Sequence, residues 1–253
     1  MKTLKEKVSY CCFRVIRGLI WLFYPKVTVE GTENLPGEPC LVVGNHSQMH
    51  GPISCELYFP GNQYTWCAGQ MMHWEDVPAY AFEDFWSRKP KKTHWFYKIL
   101  SYLITPFSVC VFNNARTIAV YRDSRIISTF KNTVKRLQEG ANVIVFPECY
   151  TEHNHIVHEF QTNFLDVAKL YHKRTGTALK IVPLYIAPNL RKMYLGKATQ
   201  YCPDAPAAEE RQRICDYLMD AITDIACSLP RHTVVPYNNI PKSQYPQNLS
   251  SEE

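Results

Sequence analysis

The stretch Pro39-Cys40-Leu41-Val42-Val43-Gly44-Asn45-His46, continued by Ser47-Gln48-Met49-His50-Gly51-Pro52, decides how the rest of the chain is read. A short apolar run closed by Gly44 describes a buried strand, and His46 falls just beyond its carboxyl end. In open α/β sheets ligands gather at the carboxyl ends of strands, so an imidazole presented there is a candidate functional group. The glycine five residues after it, Gly51, asks for a reason.

Outward from this stretch the pattern repeats. Upstream, KVTVEGTENLP (26–36) reads as a short alternating strand and a turn around Asn34 to Gly37. Downstream, 61–95 is aromatic-rich and reads as irregular, with the basic run SRKPKK (87–92) as a solvated loop or a contact for phosphates and anionic lipid. The segment WFYKILSYLITPFSVCVF (95–112) is broken by Lys98 and Pro106, which predicts a buried helix with an interfacial face and not a membrane-spanning one. TIAVYRD (117–123) is a strand ending at Arg122, and Ile126, Ile127, Phe130, Val134 and Leu137 have helical spacing up to a stop at Gly140. ANVIVFPE (141–148) is a strand that leaves Glu148 at its carboxyl end. ALKIVPLYIAP (178–188) is another, where Pro183 argues for a bulge or an edge position. A last helix over 207–229 carries the stripe Ile214, Leu218, Ile222, Ile225 and Leu229, and the tail 230–253 is expected to lie extended on the surface with a frayed end.

Helices or long crossovers separate these strands, which predicts an α/β fold with a largely parallel central sheet flanked by helices. His46, Arg122 and Glu148 would then meet at one edge of it. At 253 residues the expected organisation is an N-terminal helix over 1–26, one α/β domain over 27–229 and the tail. In the N-terminal helix Lys2, Glu6, Lys7, Arg14 and Arg17 share one side and Val8, Cys11, Val15, Leu19 and Leu22 the other, with Trp21 and Tyr24 near its end. That amphipathic helix either anchors at a membrane interface or packs on the core. A net charge of +5 suits anionic substrates or an anionic membrane surface and is too sparse for a dedicated nucleic-acid binder. Ten scattered cysteines without a Cys-x-x-Cys pair read as thiols of a reducing compartment, the cytoplasm.

Four blocks, NHSQMHG (45–51), TIAVYRD (117–123), VIVFPECYTE (143–152) and KIVPLYI (180–186), stand in an order that resembles the glycerolipid and lysophospholipid acyltransferase superfamily over roughly Val27 to Leu229. In that family the blocks are Asn-His-x-x-x-x-Asp, a strand ending in Arg, Phe-Pro-Glu-Gly-Thr-Arg and a Val-Pro strand. The resemblance implies transfer of an acyl group from a thioester, on coenzyme A or acyl carrier protein as co-substrate, to a hydroxyl of a glycerol phosphate or lysolipid. It implies no other cofactor, no metal and no covalent enzyme intermediate, with membrane lipids as partners at the cytoplasmic face of a membrane. His46 becomes the general base and Glu148 the second catalytic position, accepting hydrogen bonds from acceptor hydroxyls or bracing the loop. Asn45, Arg122, Cys149 and Thr151 occupy substrate-binding positions, Asn45 also shaping the turn and Arg122 holding an acceptor phosphate.

This chain departs from the family within those blocks. Gly51 stands where an aspartate orients the histidine, Cys149 where the family has glycine, and Thr151 where it has arginine. In serine proteases, disabling the orienting aspartate lowers turnover about ten-thousandfold. Glu56, Glu148, Glu152 or a backbone carbonyl would have to take over, or the chain is a lapsed, lipid-binding member. Two other readings compete. His46 and His50, with His153, His155 and His158 beside Glu152 and Glu159, would suit a metal-dependent hydrolase, and Cys149 would suit a covalent nucleophile.

Overall fold

A computed structural model describes residues 3–249. Lys2, counted above on the charged side of the first helix, and the last four residues of the tail lie outside the described residues. The chain divides into two compact units, one made of the residues up to Pro25 with Trp66–Thr129, the other of Lys26–Thr65 with everything from Phe130 onward.

The second unit is built on a mostly parallel sheet. Its strands are β1 (Thr28–Glu30), β2 (Leu41–Gly44), β3 (Gln63–Ala68), β5 (Asn142–Val145), β8 (Lys180–Ala187), β9 (Lys192–Leu195) and β10 (Thr199–Gln200), in the order β1-β9-β8-β2-β5-β3 with β10 on β8. β2 lies parallel to both β5 and β8, in the registers Leu41↔Val143 and Leu41↔Ile181, whereas β8 and β9 run antiparallel. All four residues of β2 are buried, so both faces of the sheet are covered, which is why this strand reads as a continuous apolar run without alternation. Val143, Ile144, Ile181, Val182 and Leu184 complete that core. The flanking helices are α2 (His50–Tyr58), α6 (Asp166–Thr175) and α7 (Ala207–Ser228), with α5 (Ile126–Gln138) entering the unit from its Phe130 end. α7 turns Ile214, Leu218 and Ile222 inward as its spacing predicts, and α5 buries Val134 and Leu137 but leaves Ile127 exposed. A two-stranded antiparallel sheet, β6 (Glu148–Glu152) and β7 (His158–Phe160), stands apart from the main one.

Two expectations for this unit need correction. β3 and α6 sit where no regular element was expected. β8 is an interior strand and not an edge, despite Pro183. The missing N–H of Pro183 falls between the β10 and β9 pairings of β8, where Gly196 N–H donates to the Pro183 carbonyl at 2.9 Å. A Cβ on Gly196 would come 2.8 Å from Pro183 Cγ, so the glycine makes room for the ring.

In the first unit, α1 (Leu4–Phe23) opens with a capping box in which Thr3 Oγ1 accepts the Glu6 N–H and Glu6 accepts the Thr3 N–H. α4 (His94–Asn114) packs on it, with Asn114 Nδ2 donating to Ser9 Oγ at 2.8 Å. The short α3 (Val77–Ala81), the last residues of β3 and β4 (Thr117–Val120) complete the unit. The apolar stripe of α1 faces away from its partner: Val8, Val15, Leu19 and Leu22 are more than half exposed, and only Phe13 is buried.

α4 is the opposite of the buried helix that its composition suggested. Its buried positions are Ser101, Thr105 and Ser108, whose hydroxyls donate to the carbonyls of Lys98, Ser101 and Met71, while Trp95, Phe96, Ile99, Tyr102, Leu103 and Phe107 are half or more exposed. The helix continues through Pro106, so Lys91–Asn114, 24 residues, is long and apolar enough to cross a membrane. At about 1.5 Å per residue it would match a hydrocarbon layer about 30 Å thick. The division of this segment at Lys98 and Pro106 therefore understated its length.

Candidate active site

The strand β2 delivers Asn45 and His46 to the carboxyl edge of the sheet, and the chain then reverses. Ser47 and Gln48 both take the left-handed conformation, φ +46° and +54°, which costs of order 1 kcal/mol or more for each non-glycine residue. Hydrogen bonds to β8 offset that strain. Asn45 Oδ1 accepts the Ile186 N–H at 2.7 Å, and Asn45 Nδ2 donates to the Ile186 carbonyl at 3.2 Å and to Ser47 Oγ at 2.8 Å. Asn45 is buried, and its amide shapes the turn in this way.

α2 begins directly after the reversal. The Gly51 N–H donates to the His46 carbonyl at 3.1 Å, and a Cβ at position 51 would lie 2.4 Å from that same oxygen. This is the physical reason for the glycine. The first turn of α2 closes so tightly on His46 that its carbonyl occupies the space into which any side chain at position 51 would project.

Glu148, at the start of β6, is buried and braces the same loop. Its Oε2 accepts the His46 N–H at 2.5 Å and its Oε1 the His158 N–H at 3.0 Å. Burial pushes its pKa up from 4.5 to about 7, and the two N–H donors only partly counter that. Both bonds brace the loop, one of the two parts foreseen for Glu148, the other being an acceptor for substrate hydroxyls.

The ring of His46 meets Phe146 at 5.2 Å and Tyr237 at 5.9 Å between centroids, both edge-on. Burial lowers its pKa, opposed by hydrogen bonding to the backbone at Gln48 and at His46 itself. Glu148, one of the substitutes considered for the aspartate, holds the backbone N–H of His46. Glu152 is exposed on β6 and Glu56 is half-buried on α2.

Cys149 is half-buried and its carbonyl accepts from His158 Nδ1, so that nitrogen carries the proton; Thr151 is exposed on β6. Arg122 belongs to the first unit, exposed beyond β4; burial raises the pKa of Asp84 there, and the charges of Arg122 and Arg88 oppose that rise. Its neighbour Asp123 is paired with Arg125 at 2.7 Å. The histidines of the metal reading go to separate partners: His153 to Glu159, His155 to the Asn248 carbonyl and His158 to Cys149. Among the described residues no three His, Cys, Asp or Glu side chains gather as a metal site. All ten cysteines are free; Cys40, Cys55 and Cys215 are buried, whereas Cys11, Cys12, Cys202 and Cys227 are exposed.

Sequence reasoning missed Tyr237. It lies in the tail, in the only Pro-Tyr-Asn-Asn run of a polar segment, and it meets the rings of His46, Tyr150 and His158. The tail is also not frayed as far as Gln247 and Asn248. Asn248 is fully buried, exchanging hydrogen bonds with the His232 backbone and donating to the Ala226 and Leu229 carbonyls.

No family model and no curated protein matches the sequence. Among solved structures the chain is similar to the 1-acyl-sn-glycerophosphate (LPA) acyltransferase PlsC from Thermotoga maritima, with 16% identity and a TM-score of 0.45 over 89% of this chain and 84% of that one. The functional reading rests on the residues themselves.

Proposed function

We infer that the protein transfers a fatty acyl group from a thioester, on coenzyme A or acyl carrier protein, to a hydroxyl of a lysophospholipid or glycerol-phosphate-type acceptor. The observation that carries this reading is the union of two blocks about a hundred residues apart: the Phe-Pro-Glu carboxylate of Glu148 holds the backbone of His46 at the carboxyl edge of the sheet. A hydroxyl is a poor nucleophile at neutral pH. A neutral ring nitrogen of His46 takes the hydroxyl proton as the oxygen attacks the thioester carbonyl carbon, and the thiolate leaves with a proton returned from the imidazolium. No metal and no covalent enzyme intermediate is needed. Arg122 carries over from the sequence resemblance alone as ligand of an acceptor phosphate. The exposed apolar faces of α1 and α4 support attachment to a membrane, on its cytoplasmic side, where such acceptors reside.

The test is turnover of acyl-CoA with a panel of lysophospholipids by the wild type beside His46→Ala. The wild type is expected to be active with an acidic limb of kcat/KM below pH 6.5, because burial lowers the His46 pKa, and His46→Ala to be silent. Wild-type turnover no greater than that of His46→Ala sinks the reading. The crowding at Gly51, which leaves no side-chain carboxylate there to stabilise an imidazolium, favours a second reading: a lipid-binding protein that retains the site without turnover. Lysolipid binding without reaction would establish it.

A further inference from the structure

The C-terminal segment forms a closed loop whose base is fastened and whose apex lies on the candidate base. At the base, Thr233 and Gln247 pair as an antiparallel bridge, and the Val234 N–H donates to the Pro246 carbonyl at 2.9 Å. His232 anchors it to β8: its Nδ1 faces the Pro230 carbonyl at 2.8 Å and so carries the proton, which leaves Nε2 to accept the Tyr185 hydroxyl at 2.7 Å. At the apex, Gln48 Nε2, from the strained turn after His46, donates to Tyr245 Oη at 2.9 Å and to the Asn238 carbonyl at 3.3 Å. Tyr237 lies between these anchors. Its ring meets His46 at 79°, while Tyr150 and His158 pack against it at 5.5 and 5.6 Å.

We propose that Tyr237 is a positioning residue for His46, its ring and that of Phe146 holding the imidazole in the orientation that an aspartate at position 51 would otherwise impose. The structure leaves no room for a side chain at position 51, so orientation by a charged partner from α2 is replaced by orientation through packing. A loop fastened at both ends is suited to this, because a ring on a frayed tail would average over many positions and constrain nothing. The kinetic consequence rests on the acyl-transfer reading: displacement of a base by about 1 Å can cost on the order of a hundredfold in rate with little effect on ground-state binding.

The experiment uses the full chain as wild type, Tyr237→Ala, Tyr237→Leu, Tyr237→Phe and His46→Ala. Nitrogen-15 NMR of the histidine rings, with the His46 signal identified by its loss in His46→Ala, reads orientation without need of turnover. Wild type is expected to show a single neutral tautomer, Tyr237→Ala and Tyr237→Leu a shift of both ring nitrogens towards the averaged value, and Tyr237→Phe the wild-type pattern. With acyl-CoA and a lysophospholipid, Tyr237→Ala is expected to lose about ten- to a hundredfold in kcat with KM within about twofold, and Tyr237→Phe to recover most of the loss. An unchanged His46 signal in Tyr237→Leu and Tyr237→Ala overturns the proposal. So does a loss confined to KM, or a Tyr237→Phe variant as impaired as Tyr237→Ala. Wild type with no turnover above His46→Ala sinks the acyl-transfer reading alone, and the NMR result still decides whether Tyr237 holds the ring.

Discussion

Glu148 gives both carboxylate oxygens to backbone N–H groups, of His46 and His158, and yet burial raises its pKa to about 7. The folded state therefore holds this proton more tightly than the unfolded chain, where the value is 4.5. Stability from this group is present in full below about pH 4.5 and is lost as pH rises through about 7, at a slope of up to about 1.4 kcal/mol per pH unit. Glu148→Gln carries no titrating proton and turns an amide N–H2 towards one of the two donors. It is expected to be less stable than wild type by about 1–3 kcal/mol, with a deficit that shrinks between pH 5 and pH 8 in thermal melts. A deficit that grows with pH would contradict the assignment. His46 has the opposite sign, since its lowered pKa contributes stability present above 6.5 and lost as pH falls through its folded value. At this scale the chain was partly legible: the strand-end placement of His46 and Glu148 follows from apolar runs that stop beside them, whereas the partners of Glu148 are backbone groups that no side-chain pattern announces.

β2, the turn and α2 act as one element, and its tightest point is Gly51. Gly51 is not among the glycines with positive φ, so the need for glycine here is close approach and not conformational freedom. Gly51→Ala or Gly51→Asp must push the His46 carbonyl away and disturb the Ser47–Gln48 reversal. Both are expected to lower stability by about 1–3 kcal/mol in denaturant melts and to reduce turnover, with aspartate no better than alanine. Restored or raised activity in Gly51→Asp would show that the element can open to seat a carboxylate. β2, β5 and β8 are readable because each is a continuous apolar run covered on both faces. β3 is not, because QYTWCA mixes polar and apolar residues, and its place beside β5 is set by partners far along the chain. Pro183 misled for a related reason: the gap that tolerates it is made by Gly196, β9 and β10.

On the scale of the whole molecule, the described residues of the first unit present aromatic and aliphatic side chains of α1 and α4 to the outside, while α4 turns serine and threonine inward. That is the reverse of a helix meant for water on its outer face, and it suits a hydrocarbon or interfacial setting. Trp95→Glu with Leu103→Glu, two exposed positions, is expected to move the protein from the membrane fraction to the soluble one with its melting temperature unchanged; unchanged partitioning would count against attachment through α4. The sequence determined the α/β class, the order of the strands that carry His46 and Glu148, and the apolar character of residues 95–112, because local periodicity and run length encode them. Tertiary structure alone decided which face of α4 is buried, why position 51 is glycine and that Tyr237 reaches His46. The first and last of these depend on contacts between segments far apart in the chain, up to 191 positions from His46 to Tyr237, and the second on the close turn after His46; such contacts leave no periodic trace in a single chain.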